Sequence, residues 1–193
     1  GAVFGVIGAY YGGKTDLLLQ RFMDGLLAVP QLVLALVFVA VMGNTVLNVI
    51  IAIGMPMIPR ASRVMRSSAL AVNEAPYIEA ARSVGANDGR IVFRHIVPNV
   101  VAPYLILLSA VVGQAILIDA ALGFLGLGST EPTASWGVML SGSASLYAVR
   151  APWMVLSPGA CITLAVFGFS LLGDSLRDAL DPKLRLNVAH ERT

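Results

Sequence analysis

Residues 74–98 read Glu-Ala-Pro-Tyr-Ile-Glu-Ala-Ala-Arg-Ser-Val-Gly-Ala-Asn-Asp-Gly-Arg-Ile-Val-Phe-Arg-His-Ile-Val-Pro, a polar and basic island between long apolar runs. Tyr77, Ala81 and Val84 recur at i, i+4 and i+7 with Ile78 alongside, which predicts a short amphipathic helix over 75–84. Glu79 and Arg82 stand three apart and can pair on its wet face. Gly85 follows where a left-handed residue ends a helix. Asn87 or Asp88 can cap a second helix through Arg90-Ile-Val-Phe-Arg-His, and Pro98 suits the first turn of the next apolar segment. A helix, a glycine break and a second helix, kept in water by an apolar chain, form a natural knob for a soluble partner's groove. The other reading is an amphipathic hairpin lying on lipid.

The flanking sequence names the solvent. The chain has 193 residues, 57% hydrophobic and 12% charged, with a mean hydropathy of +0.80. Soluble domains are about 45–50% apolar and about 25% charged, so lipid must bathe much of this surface. At about 20 residues per crossing, five spans are expected. They are residues 1–13, Leu26–Met42 with Pro30 near its start, Val46–Ile58, Pro98–Leu122 and Trp153–Gly173. The third is expected to continue as a helix past Pro59 through Arg60-Ala-Ser-Arg-Val-Met-Arg. The fold class is therefore all-α and polytopic, one transmembrane domain over 1–193. Within it lie an island at about 74–97, a Gly/Ser/Thr-rich outer loop at about 123–152, and a tail at about 174–193.

Charge sets the orientation. If the island faces the cytoplasm, alternation places 14–25, 60–97 and the C-terminal tail inside, and 43–45 and 123–152 outside. Of the 13 Lys and Arg residues, only Arg150 then falls outside, as the positive-inside rule asks. Trp136 and Trp153 flank the outer loop, either as interfacial anchors or as ordinary loop packing. The chain starts at Gly1 within an apolar stretch and lacks a basic leader region, so it reads as entering partway through a span and not as a signal peptide.

Several chemistries are not expected. Cys161 stands alone and reads as packing, and His95 and His190 have no metal-ligand spacing. No metal, no bound cofactor and no nucleic-acid partner is anticipated. Gly8-x-x-x-x-Gly13-Lys14-Thr15 matches a P-loop by letters, and Ala115-Ile-Leu-Ile-Asp119 resembles a strand ending in an acidic metal ligand. A P-loop needs a strand before it, a helix after it and a parallel sheet around it, and no such alternation appears, so the chain is not expected to be an enzyme. Asp119, near the outer end of its span, can line a solute path and meet an amine or metal cation, with Gln114 a little over a turn away. Alternatively it bonds the following loop at the interface. The sign-alternating Gly173–Pro182 reads as a solvated helix end or as a further partner contact.

Glu79-Ala80-Ala81, three intervening residues, Gly85 and Pro98 thirteen further on resemble the EAA loop of binding-protein-dependent ABC importer permeases. His95 and Val97 depart from that pattern. Gly8-Ala-Tyr-Tyr-Gly-Gly-Lys-Thr-Asp16, Ala121–Gly128, Pro132 through Ser135-Trp136-Gly137, and Leu172–Arg185 resemble the dipeptide/oligopeptide/nickel branch. The resemblance spans nearly the whole chain and implies a missing N-terminal part with a first span. It implies a multi-pass subunit of the bacterial inner membrane with a cytoplasmic C-terminus. A second homologous permease, two cytoplasmic ATPases carrying ATP and Mg, and an extracytoplasmic solute-binding protein are the implied partners. Glu79, Ala80, Ala81 and Gly85, with Arg82, become ATPase-docking positions. The implied solute is a dipeptide or oligopeptide, with nickel or glutathione as alternatives. An ion-coupled secondary transporter is the reading from outside the family.

Overall fold

The computed structural model describes residues 1–129, 133–147 and 149–180, all helices and turns. The expected tail charges Lys183, Arg185 and Arg192, and Pro132 of the outer loop, lie outside the described residues. Helices α1 (Ala2–Tyr11), α2 (Gly13–Leu27), α3 (Gln31–Met42), α4 (Val46–Gly54), α5 (Ile58–Asn73), α6 (Pro76–Ser83), α7 (Asp88–Ile91), α8 (Val97–Phe124), α9 (Trp136–Tyr147) and α10 (Trp153–Leu180) follow in order.

Four boundaries differ from the sequence reading. Residues 14–25, expected as a connection on the inner side, form most of α2, and Leu26 lies in its last turn instead of opening a span. The break falls at 28–30, where Pro30 fixes the extended residue before α3, and the chain bends by 85° between the two helices. The second helix of the island does not stop before Pro98. It runs through a π turn at Val92–Ile96 into α8, forming one helix over Asp88–Phe124. The Val97 N–H reaches back to the Val92 carbonyl. This wide turn lets the helix absorb a proline that can neither donate to residue 94 nor pack close to its carbonyl. Finally, the outer loop contains α9, whose first turn is capped by the Ser135 hydroxyl accepting from the Val138 N–H at 3.3 Å.

The expected continuation past Pro59 is present. A 3-10 turn at Met55–Met57 joins α4 to α5 and carries the rod past Pro56 and Pro59, where normal helical donors are missing. Among the described residues two helices, Asp88–Phe124 and Trp153–Leu180, are long and apolar enough to cross a membrane, or three if α2 and α3 count as one broken span. Ala2–Tyr11 is apolar but short, and the rod from Val46 turns polar at Arg60 after a short apolar half.

The helices form two compact units, one from Gly1–Gln20, Ala61–Ala110 and the described residues from Ser170 to Leu180, the other from Arg21–Arg60 and the described residues of Val111–Phe169. In the first, Val6, Ala9, Met65, Ala69, Ile78, Ile91, Ile96 and Val100 make the core. In the second, Ala35 and Val39 of α3 meet Val49, Ala52 and Ile53 of α4, with Leu122 of α8. Gly137 of α9 approaches α8 so closely that an added Cβ would lie 2.8 Å from the Ala120 Cα, the small-residue packing typical of helices in lipid. Val41, Leu156 and Leu164 lie largely bare, as lipid-facing side chains do.

Candidate functional site

The island folds as an elbow whose backbone groups are satisfied locally. Pro76 opens α6 at a position where its missing donor costs nothing. At the other end the Gly85 N–H bonds the Arg82 carbonyl at 2.9 Å and the Ala86 N–H bonds the Ala81 carbonyl at 3.0 Å. This is the paired closure of a Schellman cap. It requires a left-handed residue, and Gly85 has φ 82°. The Asn87 side chain then accepts from the Arg90 N–H at 2.8 Å and starts α7. Two helices are thus joined across very few residues by caps on both sides, which makes the elbow stiff.

Its orientation comes from contacts the sequence did not announce. Ile78, fully buried, is the side chain that plants α6 among Met65, Ala69, Ile91 and Ile96. The rest of the expected apolar face lies further out: Tyr77 and Val84 are exposed and Ala81 is half-buried. Arg82 does not turn to Glu79. Its Nη2 donates to Asn73 Oδ1 at 2.9 Å, and its guanidinium lies 5.6 Å from the Tyr10 ring centre. The Tyr10 hydroxyl donates to Asp88 Oδ1 at 2.7 Å. Tyr10 therefore touches both arms of the elbow and ties them to the end of α1.

A second tie lies behind it. Arg66 of α5 donates through Nε to Asp16 Oδ1 at 2.6 Å and through Nη2 to Asp16 Oδ2 at 2.5 Å, a bidentate, charge-assisted pair between α5 and α2. The side chains are 33% and 15% exposed, so the pair is shielded but not desolvated. We expect Asp16→Asn to lower thermal stability in detergent by about 1.5–3 kcal/mol, the worth of a hydrogen bond to a charged group. The exchange Asp16→Arg with Arg66→Asp should recover part of it. A double-mutant cycle with no coupling would refute the tie.

Glu79, Ala80, Arg82 and Gly85 all face solvent, and Ala81 is half-buried between them and the core. Val84 and Phe93 add exposed apolar surface, 85% and 76% bare. The elbow thus offers small residues, the Glu79 carboxylate and the apolar tips Val84 and Phe93. The nucleotide-like motif has another role: Gly8 sits inside α1, a helix where a P-loop demands a strand, and Ala115–Asp119 is helical in α8. What this stretch supplies is Tyr10 and, directly after the motif, Asp16. Neither could be tied to Asp88 or Arg66 from spacing, since the separations are 78 and 50 residues.

The two expected path residues part company. Asp119 faces a cavity of about 350 Å³ in the second unit, shared with Val49, Ile53 and Trp136. No hydrogen bond or ion pair reaches it among the described residues. Gln114 instead accepts from Arg60 Nη1 at 2.8 Å. Trp136 and Trp153 each begin a helix and are exposed.

Long apolar helices with bare outer faces define a helical integral membrane protein, and one polar elbow is tied to them. The chain belongs to the family of binding-protein-dependent transport system inner membrane components, whose model matches residues 1–186. It is 45% identical over 185 residues to a dipeptide transport system permease protein of Alkalihalophilus pseudofirmus, covering 96% of this chain and 60% of that protein. A putative peptide transport system permease protein of Brucella abortus is 45% identical over 186 residues, covering 96% and 62%. A glutathione transport system permease protein of Pectobacterium atrosepticum is 42% identical over 185 residues, covering 96% and 61%. The chain thus spans about three fifths of the length of these relatives.

Proposed function

We propose that the chain is the translocation subunit of an ATP-driven importer of small peptides and performs no covalent chemistry itself. The elbow carries this reading: a stiff, solvent-facing, small-residue knob fixed to membrane helices by Ile78, Tyr10 and Asp88. Ala80 and Gly85 let a partner surface approach closely, and Glu79 can accept from its donors. Cytoplasmic ATPases that close on ATP push the elbow, and its ties pass the motion to α1, α5 and α8 as a rigid lever. A second permease completes the path, and an extracytoplasmic binding protein delivers the solute. The elbow and the C-terminus lie in the cytoplasm, on the side the basic residues favour. Relatives named for dipeptide and peptide transport support the solute class. Glutathione, itself a small peptide, is the second reading, favoured by the relative from Pectobacterium.

The test is co-purification. Gly85→Asn keeps a side chain that tolerates the left-handed region and should retain the ATPase. Gly85→Trp breaks the cap and blocks close approach, so it should lose the ATPase while membrane insertion persists. Uptake that follows a proton or sodium gradient without any ATPase would replace this reading with an ion-coupled secondary transporter.

A further inference from the structure

Asp119 carries a charge that its own cavity does not answer. Val49, Ile53, Ile162 and Ser129 share the walls of that cavity of about 350 Å³. A second cavity, of about 440 Å³, lies beside Ser135 and Met139, and Asp119 and Trp136 line both. Among the described residues of the two walls, Asp119 alone is charged. A carboxylate offers about four lone-pair sites, and no hydrogen bond or ion pair from a described residue uses one. Leaving such a group without a partner against aliphatic walls is costly, and acids kept within membrane helices mark solute and ion pathways.

Backbone packing sets Trp136 beside this carboxylate. Trp136 opens α9, and Gly137 after it lies against Ala120, the residue after Asp119 in α8. A Cβ on Gly137 would come within 2.8 Å of the Ala120 Cα. One turn further along α8, a Cβ on Gly123 would lie 2.9 Å from the Val138 N. The two helices thus meet backbone to backbone at the level of Asp119.

The chemistry of the pair selects an organic cation. A carboxylate takes an ammonium by charge and hydrogen bonds, and tryptophan attracts the same cation through its ring electrons. A cleft of one sign with apolar walls concentrates its counter-ion. A divalent metal asks for more donors, and among the described residues no three of His, Cys, Asp and Glu converge.

We infer that Asp119 and Trp136 form the subsite for the N-terminal ammonium of the transported peptide, with Val49, Ile53 and Ile162 receiving its first side chain. This rests on the importer reading above.

Thiol labelling in the complete transporter, reconstituted in liposomes with its partner subunits, tests the subsite. In a Cys161→Ala background, Ser129→Cys places a small probe on the cavity wall. A cationic thiol reagent should react there at least ten-fold faster than an anionic reagent of the same size. Asp119→Asn should bring the two rates within about two-fold of each other, and Trp136→Leu should lower the cationic rate where Trp136→Phe spares it. A dipeptide supplied with ATP and the binding protein should slow the cationic reagent at least three-fold, and not in Asp119→Asn. Its uptake should fall at least ten-fold in Asp119→Asn and recover in Asp119→Glu. Equal rates for the two reagents would mean that another subunit neutralises Asp119, and would overturn the assignment. So would a charge preference that survives Asp119→Asn, or labelling that the dipeptide leaves unchanged. Uptake by the unsubstituted transporter without ATP would strike the importer reading instead, leaving the reagent preference to stand by itself.

Discussion

Gly5→Val is expected to prevent the chain from accumulating as a folded membrane protein. Gly5 lies where α1 crosses α5. A Cβ there would overlap the Ser62 carbonyl oxygen and lie 2.8 Å from the Arg66 N and 2.9 Å from the Met65 Cβ. Two of these are backbone atoms, so no side-chain rotation relieves the clash. The helices must separate, and α1 carries Val6, Ala9 and Tyr10 away with it. Overpacking usually costs about 1–3 kcal/mol and occasionally more. This site belongs at or above the upper end, a large share of a total stability of about 5–15 kcal/mol. Gly25→Ala is the control, because nothing lies within 4 Å of the Cβ it would gain, and its helical position predicts a slight gain. Thermal unfolding in detergent, followed by size-exclusion chromatography, separates the outcomes. A Gly5→Val protein that melts like the parent would sink the close-packing account.

Ile78→Asp should uncouple the transporter without removing it from the membrane. Ile78 is fully buried and is the apolar anchor of α6. A carboxylate there has no basic side chain among the core residues Met65, Ala69, Ile91 and Ile96, and burying it unpaired is costly. The cheapest escape is release of α6 from the core, leaving the long helices in lipid. On the importer reading, uptake should fall at least a hundred-fold while protein in the membrane fraction falls less than two-fold. The exposed Val84→Asp should spare the core and weaken only partner binding. If Ile78→Asp transports normally, the anchoring account of the elbow fails.

Much of the elbow was legible because its signals are local. Gly85 closes α6 through φ preference and bonds within five residues, and Asn87 caps α7 through a side chain three residues from its donor. The faces were less legible. Periodicity grouped Tyr77, Ile78, Ala81 and Val84 on one apolar face, yet it did not say that Ile78 alone would be buried. Periodicity marks a face only when one side meets water and the other meets protein.

That condition fails for most of this chain, and it divides what each level could decide. Composition and the length of the apolar runs made the class all-α and membrane-embedded, since a long apolar run in lipid pairs its backbone polar groups within a helix. Basic-residue bias suggested which ends face the cytoplasm, and Gly and Asn placed the turns of the elbow. Only the tertiary structure brought Tyr10 to Asp88, Asp16 to Arg66 and Arg60 to Gln114. A helix with lipid on one side and neighbours on the other is apolar all round, as α3 nearly is. Its rotation is therefore absent from its own sequence and is set by the small residues and polar pairs it meets on other helices.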